Sequence, residues 1–187
     1  MSDGGARGLA TAVSVDGGAT WSTPAASPFT QCAGGVFARA SDPWVAVSGS
    51  TVLQIGIAFN GAALAVGARS AVLVSRSTDG GATWGPAISL LDDDGNRFFN
   101  DKESLTIDST NPRYVYAVWD RLDPSEHGVT LLARSTDGGV SWSTAAPIYD
   151  PGAGRQTIGN VAVTTPDGLI HVFFTELGPA AGNPAVI

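Results

Sequence analysis

Three arginines recur at a fixed interval. Arg39, Arg97 and Arg155 are separated by two steps of 58 residues. A guanidinium presents a planar fork of donors that matches a carboxylate, so three in register would suit an anionic ligand. Acids follow the first two: Asp42 after Arg39, then Asp101 and Glu103 in the run Asn100-Asp101-Lys102-Glu103. Glycoside hydrolysis needs two carboxyl groups, or a carboxyl group with a tyrosine nucleophile. Tyr149 is the only tyrosine on the same connections as the arginines and could be that tyrosine, whereas Tyr114 and Tyr116 flank an apolar run and read as packing residues. The competing reading is structural: each arginine is inherited with a repeat and pairs a local acid such as Asp42 or Asp101.

Other polar groups invite narrower readings. Asp92, Asp94 and Asn96 fall in Asp92-Asp93-Asp94-Gly95-Asn96, an oxygen-rich run like a calcium loop. The full twelve-residue EF-hand pattern is absent, so the alternative is an acidic turn without metal, and no other cofactor is implied. The segment 120–127 is charged and reads as a loop that either overhangs a site or is simply solvated. His171 sits in an apolar run and reads as a structural histidine. Cys32 is the only cysteine, which excludes an internal disulfide and suggests a small buried apolar residue.

Composition narrows the partners. The net charge is −7 and Lys102 is the single lysine. Such a surface repels phosphate backbones and argues against nucleic acid. The longest apolar stretch, 62–74, is broken by Arg69 and falls short of the roughly 18 residues of a membrane span. The first residues carry no apolar signal-peptide core.

A repeat sets the elements that must hold these groups. Ser14-Val-Asp16-Gly-Gly18-Ala-Thr20-Trp21 returns as Ser77-Thr-Asp79-Gly-Gly81-Ala-Thr83-Trp84 and as Ser135-Thr-Asp137-Gly-Gly139-Val-Ser141-Trp142. The Asp-Gly-Gly step is a hairpin signal, with glycine supplying positive φ. The aspartate accepts hydrogen bonds from amides ahead of it, and the tryptophan opens the next strand with a ring to bury. Each copy follows a β-rich run (9–13, 71–75, 129–133). Two further strands fill each interval: 43–47 and 52–59, 104–107 and 115–119, 160–164 and 170–175. Four strands per repeat is the content of a propeller blade.

The expected fold is therefore all-β, a β-propeller of four-stranded antiparallel blades. Counted from axis to rim, the eight-residue pattern is the turn between the third and fourth strands. The chain forms one partial domain with blade parts 1–29, 30–90, 91–148 and 149–187. Twelve strands make about three blade-equivalents, and a ring needs roughly four to eight blades. Either the chain belongs to a longer propeller, or two copies form a homodimer of six blades. The three arginines lie on connections into first strands, so they point toward the axis, and the repeated turns lie on the opposite face. Arg76 and Arg134, each just before a repeat serine, read as structural.

The repeated Ser-x-Asp-x-Gly-x-Thr/Ser-Trp resembles the Asp box, also called the BNR repeat, of the sialidase (neuraminidase) superfamily, and its spacing is similar to that of six-bladed sialidases. The resemblance implies a sialidase-like glycosidase that removes terminal anionic sugars such as sialic acid from glycans, secreted or at the cell surface. On that reading Arg39, Arg97 and Arg155 hold the sugar carboxylate, Asp42, Asp101 or Glu103 serves as acid/base, and Tyr149 would be the nucleophile. The family pairs its tyrosine with a glutamate. The family's Arg-Ile-Pro motif does not occur in this chain. The alternative is a non-catalytic Asp-box propeller that binds glycan or protein.

Overall fold

The computed structural model describes residues 7–178. Twelve strands run through them: β1 (Ala10–Thr11), β2 (Ala25–Ala26), β3 (Arg39–Ser48), β4 (Thr51–Asn60), β5 (Arg69–Ser77), β6 (Ile88–Asp94), β7 (Phe99–Ile107), β8 (Val115–Leu122), β9 (Gly128–Ser135), β10 (Ala146–Tyr149), β11 (Gln156–Thr164) and β12 (Ile170–Leu177). The described residues contain no α-helix, hence none able to cross a membrane.

Strands β3 to β6 form an antiparallel sheet in chain order, and β7 to β10 form another. β1 pairs with β2, and β11 with β12. A single parallel bridge, Gln156 to Gly128, ties the last pair to β9. Among the described residues the sheets do not close into a ring. β4 and β5 are buried along most of their length. Their sequences are correspondingly near-continuous apolar runs, as expected for strands covered on both faces. Leu53, Ile55, Val72 and Val74 of this first sheet meet Leu105, Val115, Trp119 and Leu131 of the second in one core. The first strands β3, β7 and β11 lie side by side.

The three Asp boxes share one hydrogen-bond plan. In the second, Ser77 Oγ donates to Asp79 Oδ1 at 2.7 Å and accepts from the Gly81 amide at 2.9 Å. Asp79 Oδ1 accepts from the Thr83 amide at 2.9 Å, and Oδ2 from the Thr83 hydroxyl at 2.5 Å. These donors pull Asp79 down to about 2. The first and third boxes repeat the scheme around Asp16 and Asp137. What differs is the support beneath. A Cβ at Gly81 would lie 3.3 Å from Val13, and one at Gly139 only 2.6 Å from Leu53, so these two boxes rest on the preceding unit. A Cβ at Gly18 would meet nothing but its own Trp21. Arg76 ties neighbouring boxes together by donating through Nε to the Gly138 carbonyl at 2.9 Å.

The structure corrects four expectations. Trp142 packs against the core, but Trp21 is 65% exposed because no described sheet lies beneath its box. Cys32 is exposed, on a 3-10 turn at Gln31–Ala33. His171 is exposed because β12 is the outermost strand of its unit. Asp92 and Asp94 belong to strand β6 rather than to a calcium loop. Alternation along that strand sends them to one face and buries Asp93 on the other. Asp92 is held by Arg69, whose Nε donates to its Oδ1 at 2.8 Å. The described residues contain no group of three acids, histidines or cysteines placed to hold a metal.

Candidate functional site

Each first strand carries a bulge at the same repeat position. The register slips between Ser41 and Trp44 in β3, between Asp101 and Ser104 in β7, and between Ile158 and Val161 in β11. The residue inside each bulge has positive φ: Asp42 at 53°, Lys102 at 50° and Gly159 at 73°. Glycine adopts this freely, but for aspartate and lysine it is a strained choice that the surroundings must enforce. Part of the enforcement is electrostatic. Lys102 Nζ donates to Asp42 Oδ2 at 2.5 Å and lies 3.8 Å from Asp101 Oδ1.

The bulge in β7 also separates the two acids that flank Lys102. Glu103 is buried and turns to the first sheet, where its Oε1 accepts from the Ile57 amide at 3.0 Å. Ile57 is the partner of Ser41, where the β3 bulge begins. The other carboxyl oxygen, Oε2, is buried with no hydrogen-bond partner. Burial drives the Glu103 carboxyl well above the usual glutamate range. Asn160 follows Gly159 as Glu103 follows Lys102, and it does the equivalent job. It reaches back to the preceding sheet and donates through Nδ2 to Asp120 Oδ1 at 3.2 Å.

Asp120 is the cross-strand partner of Asp101. Burial, with the Asp101 charge adding to it, pushes Asp120 up to about 8. Asp101 is raised too, chiefly by burial, with Lys102 opposing the shift. Two facing carboxyls of which one keeps its proton at neutral pH have the makings of a proton-transfer pair.

Tyr149 and Arg155 are brought together in a different place. Tyr149 Oη donates to Glu176 Oε2 at 2.6 Å, and Arg155 Nη1 to Glu176 Oε1 at 2.6 Å. Those two donors hold Glu176 below the usual glutamate range. Accepting nothing in return, the Tyr149 phenol is raised by the carboxylate it faces. Nearby, His127 Nε2 contacts Asp150 Oδ1 at 2.6 Å, which raises the imidazole. The remaining arginines serve local aromatic rings. The Arg39 guanidinium lies 5.1 Å from the Phe59 ring centroid, and that of Arg97 lies 5.6 Å from Phe98.

The structure thus brings Asp42 and Asp101 to Lys102 rather than to the arginines, turns Glu103 to the Ile57 amide, and sets Tyr149 with Arg155 on Glu176. Glu176 is the residue that sequence reasoning misses, and Asp120, read as the start of a charged loop, is buried on strand β8. Both stand near the ends of apolar second strands, and that position is the one signal they leave in the sequence.

No protein-family model matches the chain, and no curated protein matches its sequence. Solved structures do match. A protein of unknown function from Dyadobacter fermentans superposes with a TM-score of 0.66 at 20% identity, over 91% of this chain and 52% of that one. A Hadza microbial sialidase gives 0.57 at 17% identity, over 90% and 38%. Trypanosoma rangeli sialidase in complex with 2,3-difluorosialic acid gives 0.59 at 19% identity, over 89% and 29%. The fold is sialidase-like. At these identities the likeness is one of fold alone, and the chain spans about half the length of the first of these structures and less of the sialidases.

Proposed function

We propose that the chain is part of a sialidase-like β-propeller glycosidase that removes a terminal sugar from a glycan. In this reading β3–β6 and β7–β10 are two complete blades, with β1–β2 and β11–β12 as parts of two more. The observation that carries it is the cross-strand pair of Asp101 on the innermost strand β7 and Asp120 on the adjacent β8, with Asp120 raised to about 8. Asp120 supplies a proton store, and the more open Asp101 passes the proton to the departing glycosidic oxygen. Tyr149 is the candidate nucleophile: its phenolic proton would go to Glu176 as the oxygen attacks the anomeric carbon. Arg39, Arg97 and Arg155 are the candidate contacts for an anionic sugar.

The test is turnover of fluorogenic glycosides, sialosides first, by the full-length gene product and its Asp101→Asn variant. A loss of about a hundredfold or more in the variant is expected for a missing general acid. Absence of turnover across the panel removes the hydrolase assignment.

A specific observation favours a second reading, a non-catalytic module that binds glycan or protein. Glu176 occupies on β12 the place that Arg121 occupies on β8, since their partners Thr157 and Asn100 each stand two residues before the bulge residue. Arg121 reaches the outer strand of the preceding sheet and grips Asp93 at 2.8 and 2.5 Å. Glu176 likewise reaches Tyr149 on β10, so the Tyr149–Glu176 contact doubles as a latch between sheets. Arg155, already engaged by Glu176, would have to be released to hold a substrate.

A further inference from the structure

Three apolar surfaces that are buried at one repeat position lie open at another. The first is on β3. Trp44 and Val45 follow the bulge residue and are 41% and 53% exposed. Their counterparts on β7, Ser104 and Leu105, are buried, because β7 packs on β4 of the preceding sheet. The second is on β12. Phe173 stands where Ile55 stands in β4 and Val118 in β8, both wholly buried, yet it is 62% exposed. Those two strands have a neighbour on each side, whereas β12 pairs only with β11 among the described residues. The third is Trp21 in the first Asp box, open where Trp142 of the third box packs on the core. A strand edge and apolar patches of this kind mark a surface that something covers.

The repeat says what fits there. By position, β11–β12 are the first two strands of a blade and β1–β2 the last two. In the complete sheets Val52 pairs with Ser77 and Val115 with Ser135, and each serine opens an Asp box. Ile170 holds the place of Val52 and Val115. A β12 strand therefore suits the free edge of β1 with Ile170 opposite Ser14 and Val172 opposite Ala12. One chain keeps the two halves apart, since Leu9 beside β1 packs on the first sheet and β11 is bridged to the second. The same β12 face suits β3 as well, because the contact repeats those that β4 makes with β7 and β8 with β11. Each chain thus carries both sides of one joint, and the partner that matches both in register is a second copy.

We propose that two copies of the chain close one ring, in which β12 of each copy adds to β1 of the other and packs on the partner's Trp44 and Val45. The first Asp box then seats Trp21 on the partner's β7–β10 sheet, as the third box sits on β3–β6. A two-fold rotation makes both joints at once, so the assembly closes at two copies and six blades. The proposal rests on the blade reading above and not on hydrolysis. It also completes the inner face: the Gly159 bulge of one copy comes beside the partner's Asp42 bulge, so the innermost strands form a continuous wall only in the pair.

Light scattering and sedimentation of the full-length gene product test it. The mass of two copies is expected at about 10 μM and above. Phe173→Asp sets a charge into each of the two joints and should raise the dissociation constant by about a hundredfold or more. Phe173 is exposed in the single chain, so circular dichroism should show that variant folded. In a Cys32→Ser background, Ala12→Cys chains mixed with Val172→Cys chains should form a disulfide-linked pair, and Ala12→Cys mixed with Leu177→Cys, out of register, should not. At dilution the copies separate and Trp21 is open again, so the stability of the single chain is read there. The proposal is overturned by one-copy mass at every concentration, by masses beyond two copies, or by a dimer that ignores Phe173→Asp or fails to form the Ala12–Val172 link. A dimer without glycoside turnover would sink the hydrolase reading and leave the joint standing. Turnover by a protein of one-copy mass would do the reverse.

Discussion

Asp120 stands opposite Asp101 across the β7–β8 ladder, and its Oδ1 takes a hydrogen bond from Asn160 of the next strand pair at 3.2 Å. Burial, reinforced by the facing charge, raises Asp120, which keeps its proton up to about 8. In the unfolded chain the same carboxyl releases its proton near 3.9. The folded state therefore loses stability as pH rises from about 4 to about 8, by at most about 1.4 kcal/mol per pH unit. Asp120→Asn removes the titration and keeps an oxygen for Asn160. Thermal melts at pH 5 and pH 8 should show the variant gaining on the parent at the higher pH. Parallel pH profiles for the two proteins would refute the buried, protonated state.

The Asp boxes give a graded prediction. All three aspartates are held by the same hydrogen-bond scheme, yet the second and third boxes rest on a neighbouring unit and, among the described residues, the first does not. Asp137→Ala and Asp79→Ala should lower the denaturant midpoint more than Asp16→Ala. The tryptophans should follow the same order. Trp142→Ala, cut from the core edge, should cost about 3 kcal/mol, and Trp21→Ala, at an exposed ring, under about 1 kcal/mol. Equal losses from all three boxes would mean that the hairpins stabilise only themselves.

Those boxes also show what is legible in the sequence. Turn chemistry is local, so Ser14 to Trp21 and its two copies announce their hairpins within eight residues, and the strands between them follow as β-rich apolar runs. Twelve strands are found, in sheets of two, four and six, the last joined to β11–β12 by a single bridge. The inter-sheet chemistry is not legible in this way. Glu103 meets Ile57 across 46 positions and Asn160 meets Asp120 across 40, and in each case a bulge decides which side chain turns toward which sheet. A bulge shifts alternation by one residue, and nothing in Asp101-Lys102-Glu103 marks where the shift falls. The acidic run at Asp92 misleads for a related reason. It reads as a loop by composition, while cross-strand pairing with Arg69 makes it a strand.

The clamp between Arg121 and Asp93 should be far less tolerant than its surface ion-pair chemistry suggests. Asp93 is 9% exposed, accepts both nitrogens of the guanidinium fork, and also takes a hydrogen bond from Asn100 at 3.1 Å. The same guanidinium lies 3.5 Å from the Phe98 ring centroid. Arg121→Lys keeps the charge but loses the second donor and the stacking plane, so urea unfolding should show a loss of about 2 kcal/mol. Asp93→Asn strands the guanidinium beside the core and should cost about 3 kcal/mol. A loss under about 0.5 kcal/mol in either variant would place this pair among ordinary exposed salt bridges.

Tyr149 separates the two functional readings because its hydroxyl has one partner and two candidate jobs. As a nucleophile it forms a bond to the sugar, and Tyr149→Phe should abolish turnover. As a latch it merely holds β10 to β12, and the same variant should lower the thermal midpoint with turnover or ligand affinity preserved. Glu176→Gln refines the distinction. The amide keeps an acceptor for Tyr149 but weakens the attraction for Arg155, and it cannot serve as a base. With a nucleophilic tyrosine, Glu176→Gln should depress kcat across the whole pH range. With a structural latch, Glu176→Gln should instead reproduce the stability loss of Tyr149→Phe, and the double variant should lose little more than either single one, since residues sharing one contact are not additive.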